Sequence, residues 1–193
     1  MAILGPIPIQ SFESARDMIA TILTTEFAVN TIIPTIYTER VQEIDKSNMP
    51  AVNIVFEGLA NDSLDNSDNS GTYTFNIDCY ANGKATQTKT AGSNASIDLH
   101  RLISICKQVL LNAAYKNLLF GDDMVVNSRA IRSIQTADPF QGKDANGTVM
   151  ARLVFTLKLS DEMEKGTTVD VNKIVTTVNV KPGDSGFIWE INL

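Results

Sequence analysis

One histidine, two cysteines, no long apolar run and a deficit of positive charge narrow what this 193-residue chain can do. The single imidazole, His100, has no second imidazole or thiol pair at ligand spacing, so no zinc motif is assembled from neighbouring positions. It reads as a residue on a helix surface. Cys79 and Cys106 both fall on apolar faces of predicted elements. A disulfide framework belongs to small secreted chains, so the pair reads as two reduced core thiols. No segment approaches the ~20 continuous apolar residues of a membrane span. The stretch MAILGPIPIQS has no basic segment, and two prolines break its apolar run, so it does not read as a secretory leader. A soluble chain made in the cytosol is expected, with no membrane partner. Lys and Arg number 16 against 22 Asp and Glu, a net charge of −6. That balance argues against a surface that neutralises phosphates, and no specific nucleic-acid binding is expected.

Three short motifs come close to known chemistry and fail on their neighbours. In the loop NDSLDNSDNSG, Asn66, Asp68, Ser70 and Gly71 fit the first positions of an EF-hand frame, but Ile77 stands where the bidentate carboxylate must be. GDSG at 183–186 resembles a serine-protease nucleophile segment, yet Phe187 replaces the next glycine and His100 lies in a helical stretch. A serine without a base to take its proton is a weak nucleophile. Gly83-Lys84 is followed by Ala85 and lacks the spacing of a phosphate loop. No enzyme, cofactor or metal site is expected.

Regular periodicity is abundant. In GTYTFNIDCYANG, Tyr73, Phe75, Ile77 and Cys79 alternate with Thr72, Thr74, Asn76, Asp78 and Tyr80. A strand with one core face and one polar face follows. Ser11 to Phe27 carries Ala15, Met18, Ile19, Ile22 and Leu23 at helical spacing. Ser96 to Lys116 carries Leu99, Leu102, Ile103, Cys106, Val109 and Leu110 in a continuous stripe, with Ser96 or Asn94 as the expected cap. Strands are predicted over 35–44, 51–56, 124–136 and 148–160. The first three strands, joined through turn-rich connections, are expected to form an antiparallel meander. The fold class is α+β with a mostly antiparallel sheet, in the order α-βββ-α-ββ. The core domain spans 1–160, and 161–193 is a linker followed by a C-terminal β-hairpin.

An N-terminal helix, then PTIYTERVQEI, MPAVNIVFEG, a loop, TYTFNIDCYANGK and the helix DLHRLISICKQVLLNAAY occur here in order. This organisation resembles the tail-terminator proteins of long-tailed bacteriophages, and more broadly the tail-completion proteins of the head–tail junction. The resemblance spans about residues 11–160. It implies helices packed on one face of the sheet and a homo-oligomeric ring, commonly six subunits, around a channel through which DNA passes. Such a ring is a structural virion protein, assembled in the host cytoplasm. It caps the tail tube, meets tube and sheath proteins on one face and meets neck or head-completion proteins on the other. Two other readings stay open: a different head–tail connector or sheath-associated protein, and a cytosolic binding module.

The candidate contact residues lie in loops and in the extension. Asp62, Asp65 and Asp68 stand in one long polar loop, and Lys84 and Lys89 in another; such loops often carry contacts. Phe187, Trp189 and Ile191 alternate on one face of the last predicted strand. A two-stranded hairpin is marginal alone, so that face calls for a cover, from its own domain or from another chain.

Overall fold

The alternation of Tyr73, Phe75, Ile77 and Cys79 builds the middle strand of a five-stranded sheet, and the other strands pair outward from it on both sides. The computed structural model describes residues 11–30, 32–61, 71–118, 120, 125–137, 147–160, 173–177 and 188–192. The elements are α1 (Ser11–Ala28), β1 (Thr35–Thr38), β2 (Ala51–Asn61), β3 (Gly71–Asn82), α2 (Ala91–Leu111), β4 (Val125–Ala137), β5 (Thr148–Ser160), β6 (Lys173–Thr177) and β7 (Ile188–Asn192). The chain divides into two compact units, Met1–Glu162 and Met163–Leu193.

In the first unit the strand order is β1-β2-β3-β5-β4. The β2–β3, β3–β5 and β5–β4 pairs are antiparallel, so the protein is α+β with a sheet dominated by antiparallel pairing. Both helices share one face. α1 lies over β1 and β2, and α2 lies over β3, β5 and β4. Ile19, Ile22, Leu23, Leu102, Cys106 and Leu110 from the helices meet Ile54, Phe75, Ile77, Leu153 and Phe155 from the sheet in one core. Phe12 at the start of α1 stacks on Phe56 of β2, ring centroids 4.6 Å apart. In the second unit β6 pairs antiparallel with β7.

Two expectations need correction. The segment 35–44 is not one strand in a meander: β1 stops at Thr38 and runs parallel to β2. Two adjacent parallel strands need a crossover of about a dozen residues, and 39–50 is that crossover. Its start is held where β1 ends. Glu39 sits at φ 52°, a left-handed conformation that few side chains adopt. Its N–H donates to Ile54 O at 2.9 Å, and its Oε1 accepts from Phe56 N at 2.8 Å, taking the next rung on β2 after the strand has ended.

The long helix also begins and ends earlier than its apolar stripe suggests. Thr90 is the cap, its Oγ1 accepting from Ser93 N at 3.2 Å, so neither Ser96 nor Asn94 is. The helix can start there because Gly83 lets strand and helix backbones touch: a Cβ at Gly83 would stand 2.2 Å from Ala91 O and 2.4 Å from Ala95 N. At the other end Asn112 breaks the helix, its Oδ1 accepting from Ala114 N at 2.9 Å to start a short 3-10 turn. Arg129 on β4 then donates to Tyr115 O at 2.7 Å, Asn112 O at 2.6 Å and Leu111 O at 3.3 Å. Asn112 O and Tyr115 O also accept from Tyr115 N and Leu118 N, so the guanidinium is an added donor at the negative end of α2, a favourable place for a cation.

Candidate functional site

Of the residues singled out in the sequence, Lys84 and Lys89 share one exposed loop between β3 and α2. The loop is shaped through its backbone. Lys84 O accepts from Asn94 Nδ2 at 2.7 Å, and Lys89 and Thr86 are bridged by Thr86 N to Lys89 O at 2.9 Å and by Lys89 N to Thr86 Oγ1 at 3.2 Å. Both lysines are thus held by the main chain. Trp189 and Ile191 fall at alternate positions of β7, in register with Thr176 and Ile174 of β6. Asp62, Asp65, Asp68 and Phe187 lie outside the described residues, as do the EF-hand-like loop and the GDSG segment. His100 is exposed on α2. Among the described residues, no group of three or more His, Cys, Asp or Glu side chains is placed to hold a metal ion, and no helix is long and apolar enough to cross a membrane.

The sheet face turned away from the helices is not a uniformly wet surface. Asn53, Asn76, Asp78 and Thr156 are all buried there. The crossover 39–50 straps part of it. Arg40 N donates to Asn53 Oδ1 at 3.2 Å and Asn53 Nδ2 donates to Arg40 O at 3.0 Å, so one buried amide holds both backbone groups of Arg40 at the start of the strap. Ile44 from the strap and Ala51 from β2 are buried but stand outside the main core.

A groove of about 270 Å³ opens beside this strap, lined by residues 40–44 together with Asn53, Tyr80 and Met150. Its polar groups are largely engaged. The Arg40 guanidinium lies 4.5 Å from the Tyr37 ring centroid and donates to Gln42 O at 3.3 Å and to Glu43 O at 3.2 Å. Asn53 is taken by Arg40. Burial, and then the charge of Asp78, push the Tyr80 phenol above its ordinary value, so its hydroxyl stays protonated as a donor at the rim.

Next to Tyr80, Arg152 of β5 makes a two-pronged pair with Asp78 of β3. Nε to Oδ1 is 2.7 Å and Nη2 to Oδ2 is 2.8 Å. The carboxylate side chain is 5% exposed and the guanidinium side chain 41%. The bond to Asp78 raises the Arg152 pKa, so the cation is permanent. On the opposite face, Cys79 and Cys106 bring their sulfurs to 4.0 Å in the core between β3 and α2 as free thiols. The hydrogen bond to Cys106 and then burial push the Cys79 thiol well up, which makes it a poor nucleophile.

Reading the sequence alone missed Asn53, Asp78 and Arg152. Two of them carried a signal: Asn53 is the single polar residue in the apolar run AVNIVF, and Arg152 is the single charge inside VMARLVF. An amide or cation in such a run needs a partner. The strap and the Asp78–Arg152 pair supply those partners. No protein-family model matches the chain, and no curated protein matches it.

Proposed function

We propose that this chain is a structural virion protein, a tail terminator of a long-tailed bacteriophage, which assembles as a ring on the tail tube and joins it to the neck. The observation that carries the reading is the order of its elements, a helix, three strands, a long helix and two strands. Both helices lie on the same side of a mainly antiparallel sheet. In this reading 161–193 is a linker and a hairpin extension whose apolar alternation, Phe187, Trp189 and Ile191, packs on a neighbouring subunit or a tail protein by strand addition. The acidic balance suits a channel through which DNA must move without being held. The chemistry so far described is structural: the polar groups on the sheet fasten the strap and pair the strands.

Light scattering on the purified chain and gold-labelled antibody on virions test the proposal together. A ring of six 21.0 kDa chains, about 126 kDa, with label at the head–tail junction, is the expected result. A protein that remains monomeric and labels no particle refutes it. The groove beside the strap favours a second reading, a cytosolic module that binds a small ligand, and a monomer that retains a ligand through purification would support that instead.

A further inference from the structure

The chain has two cysteines, and the fold brings them to one place. Cys79 lies on β3, the middle strand, and Cys106 lies on α2, 27 positions later. Their sulfurs stand 4.0 Å apart inside the core, and both side chains are fully buried. The surroundings are hydrocarbon. Val52 and Ala151 are the cross-strand neighbours of Cys79. Leu102, Ile103, Val109 and Leu110 flank Cys106 one turn away along the helix, all buried. Alanine or valine at either position would serve burial alone; what two facing thiols add is the bond they can form. The 4.0 Å separation must shrink by about 2 Å to reach a disulfide. A turn of each side chain about its Cα–Cβ bond covers that gap, and Ala151, with only a methyl group beside Cys79, leaves room for it. No third cysteine competes, so the pair has a single intramolecular product.

We infer that Cys79 and Cys106 form an oxidative modification site, at which hydrogen peroxide converts the dithiol into a disulfide that ties the middle strand to the long helix. One sulfur, as thiolate, attacks a peroxide oxygen. The O–O bond breaks, the sulfur becomes a sulfenic acid, and the released hydroxide takes up the thiol proton as water. The second sulfur, deprotonated in turn, attacks the sulfenic sulfur; the S–S bond forms, the S–O bond breaks, and the departing hydroxide leaves as a second water with the second thiol proton. The two thiols lose two electrons, which reduce the peroxide. The hydrogen bond to Cys106 and the burial that hold the Cys79 thiol well up make the first attack slow. The pair therefore stays a dithiol in a reducing cytosol and records sustained exposure to oxidant. Peroxide is scarcely larger than water, so it enters through fluctuations too small to admit a maleimide. The cross-link closes 79–106 into a covalent loop that contains Lys84 and Lys89, and it acts by restricting the unfolded chain. The site is independent of the ring proposed above.

The test starts from the full chain purified in dithiothreitol, freed of reductant and incubated folded with hydrogen peroxide, then unfolded in guanidinium with maleimide present. The expected product takes up no maleimide and carries no link between chains. Its two cysteine-containing peptides should appear joined, lighter by two hydrogens than their sum. The unfolding constant in urea should fall at least about tenfold and return to its starting value in dithiothreitol. Cys79→Ala and Cys106→Ala should each keep one reactive thiol after unfolding and show no shift with oxidant; if either variant fails to fold, the peptide map of the wild-type chain decides. A wild-type chain that still takes up two maleimides after oxidant, that is oxidised to sulfinic acid without a joined peptide, or that links only to another chain would overturn the inference. So would a joined peptide in a chain whose resistance to urea is unchanged or reduced, because the bond would then not fit the native core.

Discussion

Removing either member of the Asp78–Arg152 pair should cost stability unequally, because the two side chains differ in exposure. The carboxylate is 5% exposed and the guanidinium 41%. Arg152→Met keeps most of the aliphatic stem and deletes the charge, leaving a buried carboxylate without its two donors. Breaking a buried pair in this direction costs about 3–5 kcal/mol. Water can approach from the half-exposed arginine side, which reduces the figure to about 2–4 kcal/mol. Asp78→Asn deletes the buried charge and leaves a guanidinium that solvent can hydrate. Its cost is the loss of charge assistance in two hydrogen bonds, about 1–2 kcal/mol. The double variant should recover part of the Arg152→Met loss, with a coupling of about 1–3 kcal/mol. Urea unfolding at pH 7, followed by far-ultraviolet circular dichroism with the slope held constant across the four proteins, measures all three quantities. If Arg152→Met proves no more costly than Asp78→Asn, the carboxylate is not desolvated in solution and the account of this face as a buried polar layer fails.

Arg129→Ala should lower stability by about 1–2 kcal/mol, since one cation donates to Leu111 O at the end of α2 and to Asn112 O and Tyr115 O in the turn after it, and urea titration showing a loss under about 0.5 kcal/mol would contradict the anchoring role. Asn76→Val should raise stability by about 1 kcal/mol: Asn76 Oδ1 is buried without a hydrogen-bond partner among the described residues, and its cross-strand neighbours are Val55 and Val154. A loss of stability would mean that the amide is in use. Cys79 and Cys106 should resist a maleimide in the folded protein and react fully in 6 M guanidinium, a contrast read by intact mass; rapid labelling under native conditions would contradict the burial of both thiols. Deleting residues 161–193 should leave an unfolding transition of wild-type sharpness but no rings in light scattering, and a truncated chain that unfolds would remove the basis for treating that segment as an extension.

Much of the first unit could be read from period alone. The core face of β3, the full span of β5 and the stripe on α2 follow from alternation of two and of three-and-a-half residues, since a single buried face dictates both. Helix ends were less legible because they depend on partners distant in sequence. α2 begins at Ala91 through the close approach of Gly83, and it ends at Leu111 under Arg129, which is 18 residues further on. The direction of β1 was illegible for a related reason. TIYTERVQEI carries enough β-formers for a ten-residue strand, and nothing local distinguishes a hairpin partner from the first half of a parallel crossover.

The polar side of β3 shows where the rule of alternation stops. Thr72, Thr74, Asn76, Asp78 and Tyr80 alternate with core residues and so read as solvent-facing. Alternation reports which residues share a face, however, and says nothing about what lies over that face. Here Asn76 and Asp78 are buried: β2 and β5 flank them, Arg152 covers the carboxylate, and the strap lies over the adjoining Asn53. Which face is wet depends on a crossover that the strand periodicity cannot see. The same crossover brings residues 40–44 beside Tyr80 of β3 and Met150 of β5, where they line the groove. The parallel connection therefore decides both how the buried polar layer is covered and where the groove opens.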